Sequence, residues 1–257
     1  MKVVILAGGF GTRITEESVY KPKPMIEIGG HPIIWHIMKY YSCFGMKEFI
    51  ICAGYRAYAI KEYFANYHVH RADISVSLGN GHIDVIQSNT EDWKVTIVDT
   101  GYDTMTGGRL KRIETFIGDD EQFCMTYGDG LSNVDISKLM DHHQQAGVSA
   151  TLTAICPPTR FGRLELDDDN LVTSFIEKPE STALVNGGFF VLNRDVFSYL
   201  EDDSTIWERS PLQSLAQAGK LSAYVHDGFW QPMDTMREKI YLEELWGSGE
   251  APWKLWK

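Results

Sequence analysis

Hydrophobic and polar positions follow two alternating rhythms along this chain. Val3-Val4-Ile5-Leu6 is an unbroken apolar run and predicts a fully buried strand. From Pro32 to Phe44 the period becomes helical, with Ile33, Ile34, Ile37, Met38 and Tyr41 on one face. Proline near its start and Gly45 beyond its end mark the boundaries of this helix. Glu48 to Ala53 predicts the next buried strand, closed by Gly54, and Ala59 to Tyr67 a second helix. Ile74 to Leu78 and His82 to Ile86 alternate around Asn80-Gly81, a hairpin signal. Thr96 to Val98, Phe123 to Tyr127 and Ser149 to Ile155 complete the strands of the first two-thirds. Strands alternating with helices predict a mostly parallel sheet covered on its faces.

The last third is less regular. Leu164 to Leu166 and Val172 to Ile176 flank the acidic turn Asp167-Asp168-Asp169-Asn170 and predict an antiparallel pair. Phe189 to Leu192 reads as a buried strand and Glu238 to Trp246 as a C-terminal helix. The tail from Gly247 to Lys257 carries Trp253 and Trp256, which predicts docking on an apolar surface of this subunit or of a neighbour.

Composition narrows the class. The chain has 257 residues, 44% hydrophobic and 23% charged, which suits one large soluble α/β domain. A net charge of −11 argues against a nucleic-acid surface but leaves room for local cations around a small anionic ligand. No apolar stretch approaches the roughly 20 residues of a membrane-spanning helix, and the opening run is too short for a signal peptide. Cys43, Cys52, Cys124 and Cys156 form no CxxC pair and read as reduced, buried thiols of a cytoplasmic protein. The histidines do not cluster as metal ligands. His68 and His70 read as exposed, and His142-His143 as part of a solvated helix.

The first strand runs into Ala7-Gly8-Gly9-Phe10-Gly11-Thr12-Arg13. Glycines let several backbone N–H groups approach a ligand, and an arginine adds charge-assisted bonds, a geometry suited to polyphosphate. The dinucleotide pattern GxGxxG fails at Ile14, which disfavours a dehydrogenase, and the Walker A pattern fails as well. Lys21-Pro22-Lys23-Pro24 places Lys23 on a segment stiffened by prolines. Gly128-Asp129-Gly130 puts a carboxylate just past a strand, where open α/β sheets bind ligands. Taken alone, Asp129 also reads as a turn residue and Asp234 as a helix N-cap. Glu177-Lys178-Pro179 reads equally as an ordinary loop, and Thr104 to Arg109 as an ordinary helix entry.

LAGGxGTR followed by KPKP resembles the signature of the sugar-1-phosphate nucleotidylyltransferases. Longer stretches, KPKPMIEIGGHPIIWHIMKYY, ICAGYRAYAIKEYF, TGGRLKR, TYGDG, NGGFFVLN and FWQPMDT, resemble the glucose-1-phosphate cytidylyltransferase branch of that family. The resemblance spans nearly the whole chain. It implies a Rossmann-like three-layer α/β/α nucleotidyltransferase fold with a mixed, mostly parallel central sheet and late antiparallel additions. One domain would cover 1–257: 1–135 mainly for the nucleotide, 136–246 mainly for the sugar phosphate, and 247–257 as the aromatic tail. The implied reaction joins CTP and α-D-glucose 1-phosphate with Mg²⁺, giving CDP-glucose and pyrophosphate for lipopolysaccharide precursors. Alternatives are a uridylyl- or thymidylyltransferase, or a non-catalytic nucleotide-sugar-binding subunit.

The resemblance also distributes roles. Leu6, Ala7, Gly8, Gly9, Phe10, Gly11, Thr12, Arg13, Lys23, Thr104, Thr106, Gly107, Arg109 and Gly128 would bind the nucleotide. Arg13, Lys23, Asp129 and Asp234 would carry catalysis, with Asp129 and Asp234 holding Mg²⁺. Glu177, Lys178, Asn186 and Gly187 would bind the sugar phosphate. A site that reads cytosine needs a donor at N3, for which Arg109 is the candidate, or an acceptor at the 4-amino group, for which carbonyls near Leu6 to Gly9 or Thr104 to Gly107 are candidates. A homo-oligomer, a hexamer in the family, is implied, with the tail or residues 66–94 at an interface. No nucleic-acid or membrane partner is expected.

Overall fold

The structure is a computed structural model and describes residues 1–11, 14, 21–88, 90–157, 162–177 and 183–256. Thr12, Arg13 and Lys178 lie outside the described residues.

Seven strands build the central sheet: β1 (Lys2–Ala7), β2 (Glu48–Ala53), β3 (Lys94–Asp99), β4 (Gln122–Tyr127), β5 (Ala150–Ile155), β6 (Val185–Asn193) and β7 (Leu221–His226). Their spatial order is β7-β5-β6-β4-β1-β2-β3. Only β6 runs against its neighbours, pairing antiparallel with both β4 and β5. The sheet is therefore mixed and mostly parallel, with its reversed strand arriving late, as expected.

Alternation along β1 explains the three layers. Val3, Ile5 and Ala7 point into one core, while Val4 and Leu6 point into the other. The first core is closed by α1 (Ile33–Ser42), α2 (Ala57–Ala65), α4 (Ile136–Ala146) and α6 (Met236–Gly247). The second is closed by α3 (Thr106–Arg112), the 3₁₀ segment Arg194–Tyr199 and α5 (Ser210–Gln217). Two expected hairpins are present outside the sheet, Ala72–Ser77 with His82–Ser88 and Arg163–Leu166 with Val172–Ile176.

Several expectations change. The edge strand β7 has no continuous apolar run; its half-buried, half-exposed alternation becomes legible only beside β5. His143 is buried rather than solvated, because its ring nitrogens meet Thr151 Oγ1 and Asn193 Oδ1, both at 2.9 Å, across the sheet. Cys52 and Cys124 are buried thiols, but Cys43 and Cys156 are exposed, so apolar neighbours in sequence were a poor guide there. The tail docks on its own subunit. Trp253 is fully buried, stacks on Phe229 at 5.6 Å and donates from Nε1 to His36 Nδ1 at 3.3 Å. Trp256 meets Trp35 edge-on at 5.7 Å.

Candidate active site

β1 lies between β2 and β4, so the chain leaves it toward one neighbour while the other flank is filled later. Such a switch point opens a crevice at the carboxyl ends of the strands. Here Leu6 sits beside Tyr127, and the Gly128 N–H donates to the Leu6 carbonyl at 2.9 Å. The glycine-rich turn leaves β1 and forms one wall of a cleft of about 720 Å³. Of the expected residues, Leu6, Ala7, Gly8, Gly9, Phe10, Gly11, Lys23, Thr104, Thr106, Arg109, Gly128, Asp129, Asn186, Gly187 and Asp234 all line it.

At the floor, a two-strand ribbon brings distant carboxylates together. Gly130–Ser132 pairs antiparallel with Trp230–Pro232, and the Met233 N–H donates to the Asp129 carbonyl at 2.8 Å. Asp129 and Asp234 thus become neighbours despite their separation in sequence. Lys23 opens a 3₁₀ turn between Pro22 and Pro24 and is only 6% exposed. Its Nζ donates to Asp129 Oδ2 and to Asp234 Oδ1, each at 2.5 Å. A buried ammonium without partners would be costly, so the two carboxylates hold it in place.

Asp234 is not the cap of the last helix. Thr235 caps α6, accepting from the Glu238 N–H at 3.4 Å. Glu238 Oε2 in turn accepts from the backbone N–H groups of Asp234 and Thr235, at 2.6 and 2.9 Å. This reciprocal box leaves the Asp234 side chain turned toward Lys23.

Arg109 is buried, and its fork is spent on the scaffold. Nη1 donates to Ala53 O, Thr100 Oγ1 and Gly101 O, and Nη2 to Gly8 O and Tyr102 O, at 2.8–3.3 Å. It ties together the ends of β1 and β2 and the loop after β3. A Cβ on Gly8 or on Gly54 would lie 2.2 Å from Arg109 Nη1, so both glycines exist to admit this side chain. The expected base donor is therefore a clamp on the glycine-rich wall, with its terminal N–H groups already engaged. A distance in sequence could not show five acceptors converging on one guanidinium.

Phe10, Tyr55 and Tyr102 form the lip of the same wall, with ring centroids 5.0–6.0 Å apart. Across the cleft, Asn186 Oδ1 accepts from the Gly188 N–H at 2.9 Å, and Trp230 Nε1 donates to Gly187 O at 2.7 Å. Glu177 follows the Arg163–Ile176 hairpin, is exposed and does not line the cleft, so the structure does not bring it to Asn186. Tyr127, Glu208 and Trp230 line the cleft without having been expected there. Tyr127 stands directly before Gly-Asp-Gly, which was a usable signal; Glu208 sits in an irregular loop that offered none.

A nucleotidyl transferase family profile matches residues 2–235. The chain is 55% identical to the glucose-1-phosphate cytidylyltransferase of Salmonella typhi over 258 residues, across 100% of both chains. It is 42% identical to the probable glucose-1-phosphate cytidylyltransferase of Bacillus subtilis (strain 168), again across 100% of both. The chain belongs to the nucleotidyl transferase family. The crystal structure of HddC from Yersinia pseudotuberculosis superposes with a TM-score of 0.70 at 24% identity, over 95% of this chain and 99% of that one. UTP-bound UGPase from Acinetobacter baumannii gives 0.70 at 17% identity, over 96% and 93%. These two likenesses show a shared fold.

Nucleotidyltransferases of this family generally use a divalent metal ion. No group of three or more His, Cys, Asp or Glu suited to a metal occurs among the described residues. The residues present still fit a hard cation. Two carboxylate oxygens already converge on one positive charge, and Mg²⁺ typically takes one or two carboxylates and completes its shell with phosphate oxygens and water. No described helix is long and apolar enough to cross a membrane.

Proposed function

We propose that this nucleotidyltransferase moves a cytidylyl group from CTP to α-D-glucose 1-phosphate, forming CDP-glucose and releasing pyrophosphate. The full-length identity to the Salmonella typhi cytidylyltransferase carries the choice of substrates. The Lys23–Asp129–Asp234 cluster at the cleft floor supports the chemistry. Residues 1–135 serve mainly the nucleotide, residues 136–246 mainly the sugar phosphate, and both halves share one sheet.

The attacking group is a phosphate oxygen of the sugar phosphate. It is anionic at neutral pH, so no general base is required, and among the described residues no histidine lines the cleft. The work left to the protein is positioning and charge stabilisation. The glycine-rich turn presents backbone N–H groups to the triphosphate. Arg13 steadies the leaving pyrophosphate, and Lys23 stabilises charge around the α-phosphate. Lys178 contacts the sugar phosphate, and Glu177 and Asn186 its hydroxyls; Glu177 has to approach from outside the cleft. Asp129 and Asp234 would hold Mg²⁺, which would supply charge neutralisation on the nucleotide phosphates.

The outer hairpin supports a homo-oligomer. Ile74 faces Val85 and Val76 faces Ile83, so one exposed face of Ala72–Ser88 is apolar. The buried thiols Cys52 and Cys124 and a site for phosphorylated metabolites suit the cytoplasm. The test of the reaction is direct: each nucleoside triphosphate is incubated separately with glucose 1-phosphate and Mg²⁺, and pyrophosphate release is followed. CTP is expected to exceed UTP by at least about tenfold in kcat/KM, since leaving one buried polar group of the wrong base unpaired costs roughly 1–3 kcal/mol. Equal values would overturn the cytidylyl assignment and leave nucleotidyl transfer standing.

A further inference from the structure

Four side chains along one wall of the cleft form a directional hydrogen-bond chain. Thr106 Oγ1 accepts from the Trp207 N–H at 2.9 Å and donates to Glu208 Oε2 at 2.6 Å. Tyr127 Oη donates to Glu208 Oε1 at 2.5 Å. Asn186 Nδ2 approaches Tyr127 Oη at 3.4 Å. An ionised carboxylate only accepts, so both hydroxyl protons are committed to Glu208. Burial, and then the neighbouring Glu208, push the Tyr127 phenol far above its usual range, so it keeps that proton.

What this wall offers a ligand follows from the direction of the chain. The remaining lone pairs of Tyr127 Oη and of the Glu208 carboxylate are acceptors. Among the described residues no lysine or arginine pairs with Glu208. Such a surface disfavours phosphate and carbonyl oxygens and favours hydroxyl donors. Backbone shape permits close approach: Gly188, at φ +82°, lies under the Tyr127 ring, where a Cβ would come within 2.6 Å of Cδ2. Charge in the cleft is therefore sorted. The Lys23 ammonium marks the floor for phosphates, and Tyr127 with Glu208 marks a separate wall beside Asn186.

We propose that Tyr127, oriented by Glu208, is a specificity-determining residue for the hexose ring, its oxygen accepting a hydrogen bond from one ring hydroxyl of the sugar phosphate. Glu208 is the positioning residue: it fixes the rotor of Tyr127 and, through Thr106, joins the sugar wall to the start of α3. The inference rests on the proposed transfer to a sugar phosphate.

The test is steady-state kinetics on the purified full-length chain and on Tyr127→Phe and Glu208→Gln. Glucose 1-phosphate is compared with its 2-, 3-, 4- and 6-deoxy analogues, and CTP with 2′-deoxy-CTP and UTP. Both variants are expected to raise KM for glucose 1-phosphate about tenfold, the worth of one well-placed hydrogen bond, with KM for CTP and kcat within about twofold. One deoxy analogue should cost the wild type that same factor and cost Tyr127→Phe nothing further. Wild-type KM in both variants, or an equal extra loss for every deoxy analogue in Tyr127→Phe, would overturn the proposal. So would a loss confined to 2′-deoxy-CTP, which assigns the wall to the ribose, or a changed CTP-to-UTP ratio, which assigns it to the base. Glu208→Gln carries the test if Tyr127→Phe does not fold. Should the wild type use another sugar phosphate, the proposed function fails, and the deoxy series of that sugar still decides the wall.

Discussion

At the scale of single residues, Lys23, Asp129 and Asp234 meet at the floor of the cleft, and Arg109 braces its glycine-rich wall. Asp129→Asn and Asp234→Asn each remove one negative charge from the cation cluster at its floor. Turnover at limiting Mg²⁺ is expected to fall by about 10²-fold or more, with the fold retained. Near-normal rates in either variant, read as pyrophosphate release across a Mg²⁺ titration, would contradict the metal assignment. Arg109→Ala works differently, because it strips donors from four carbonyls and Thr100 at once. Roughly 3 kcal/mol of stability should go, and KM for CTP should rise as the glycine-rich wall loosens. Arg109→Lys should rescue little, since an ammonium cannot span this fork. A changed CTP-to-UTP ratio at unchanged melting temperature would restore Arg109 as a base reader.

At the scale of elements, the junction of the Trp230–Pro232 strand with α6 couples stability to chemistry. Thr235 caps the helix while Glu238 holds the N–H groups of Asp234 and Thr235. Thr235→Ala should cost about 1 kcal/mol in urea unfolding. It should also lower kcat, because Asp234 is the residue immediately before the cap. A loss of stability with fully wild-type kcat would show that the ribbon with Gly130–Ser132 alone aims Asp234. Much of this level was legible in sequence. The hairpin at Asn80-Gly81 and the strand Glu48–Ala53 lie where their patterns place them. Read alone, Asp234 and Thr235 are equally good N-caps, and only the backbone geometry selects Thr235.

At the scale of the whole molecule, the C-terminal tail closes an aromatic core around His36. His36 Nε2 lies 2.7 Å from Ile28 O, so it is the donor there, and Nδ1 accepts from Trp253. Burial lowers the His36 pKa from 6.5 to about 4. In that window the unfolded chain binds the proton more readily than the folded one. This contribution is therefore complete above about pH 6.5 and declines as pH falls toward 4, by about 2 kcal/mol at pH 5. Urea unfolding at pH 7 and pH 5 should show a steeper loss for the wild type than for His36→Gln; equal losses would contradict the assignment. The apolar face of the outer hairpin should be covered by another copy of the chain. Light scattering at micromolar concentration should give a mass well above the 29.1 kDa of one chain. A strictly monomeric mass would contradict it.

Local rules were sufficient for what the sequence determined by itself. Apolar runs and their period set the strands and helices, and the glycine-rich turn and the stiffened lysine both line the cleft. These features depend on neighbours a few residues apart, so pattern and composition carry them. Tertiary structure alone decided which long-range groups meet. It buried His143, spent the Arg109 fork on backbone carbonyls, kept Glu177 out of the cleft and brought Glu208 into it. Each of those outcomes depends on chain crossings in the sheet and on where hydrogen-bond acceptors converge in space. No spacing along the chain encodes that convergence, because a side chain's partners are set by packing between elements that local sequence leaves free to vary.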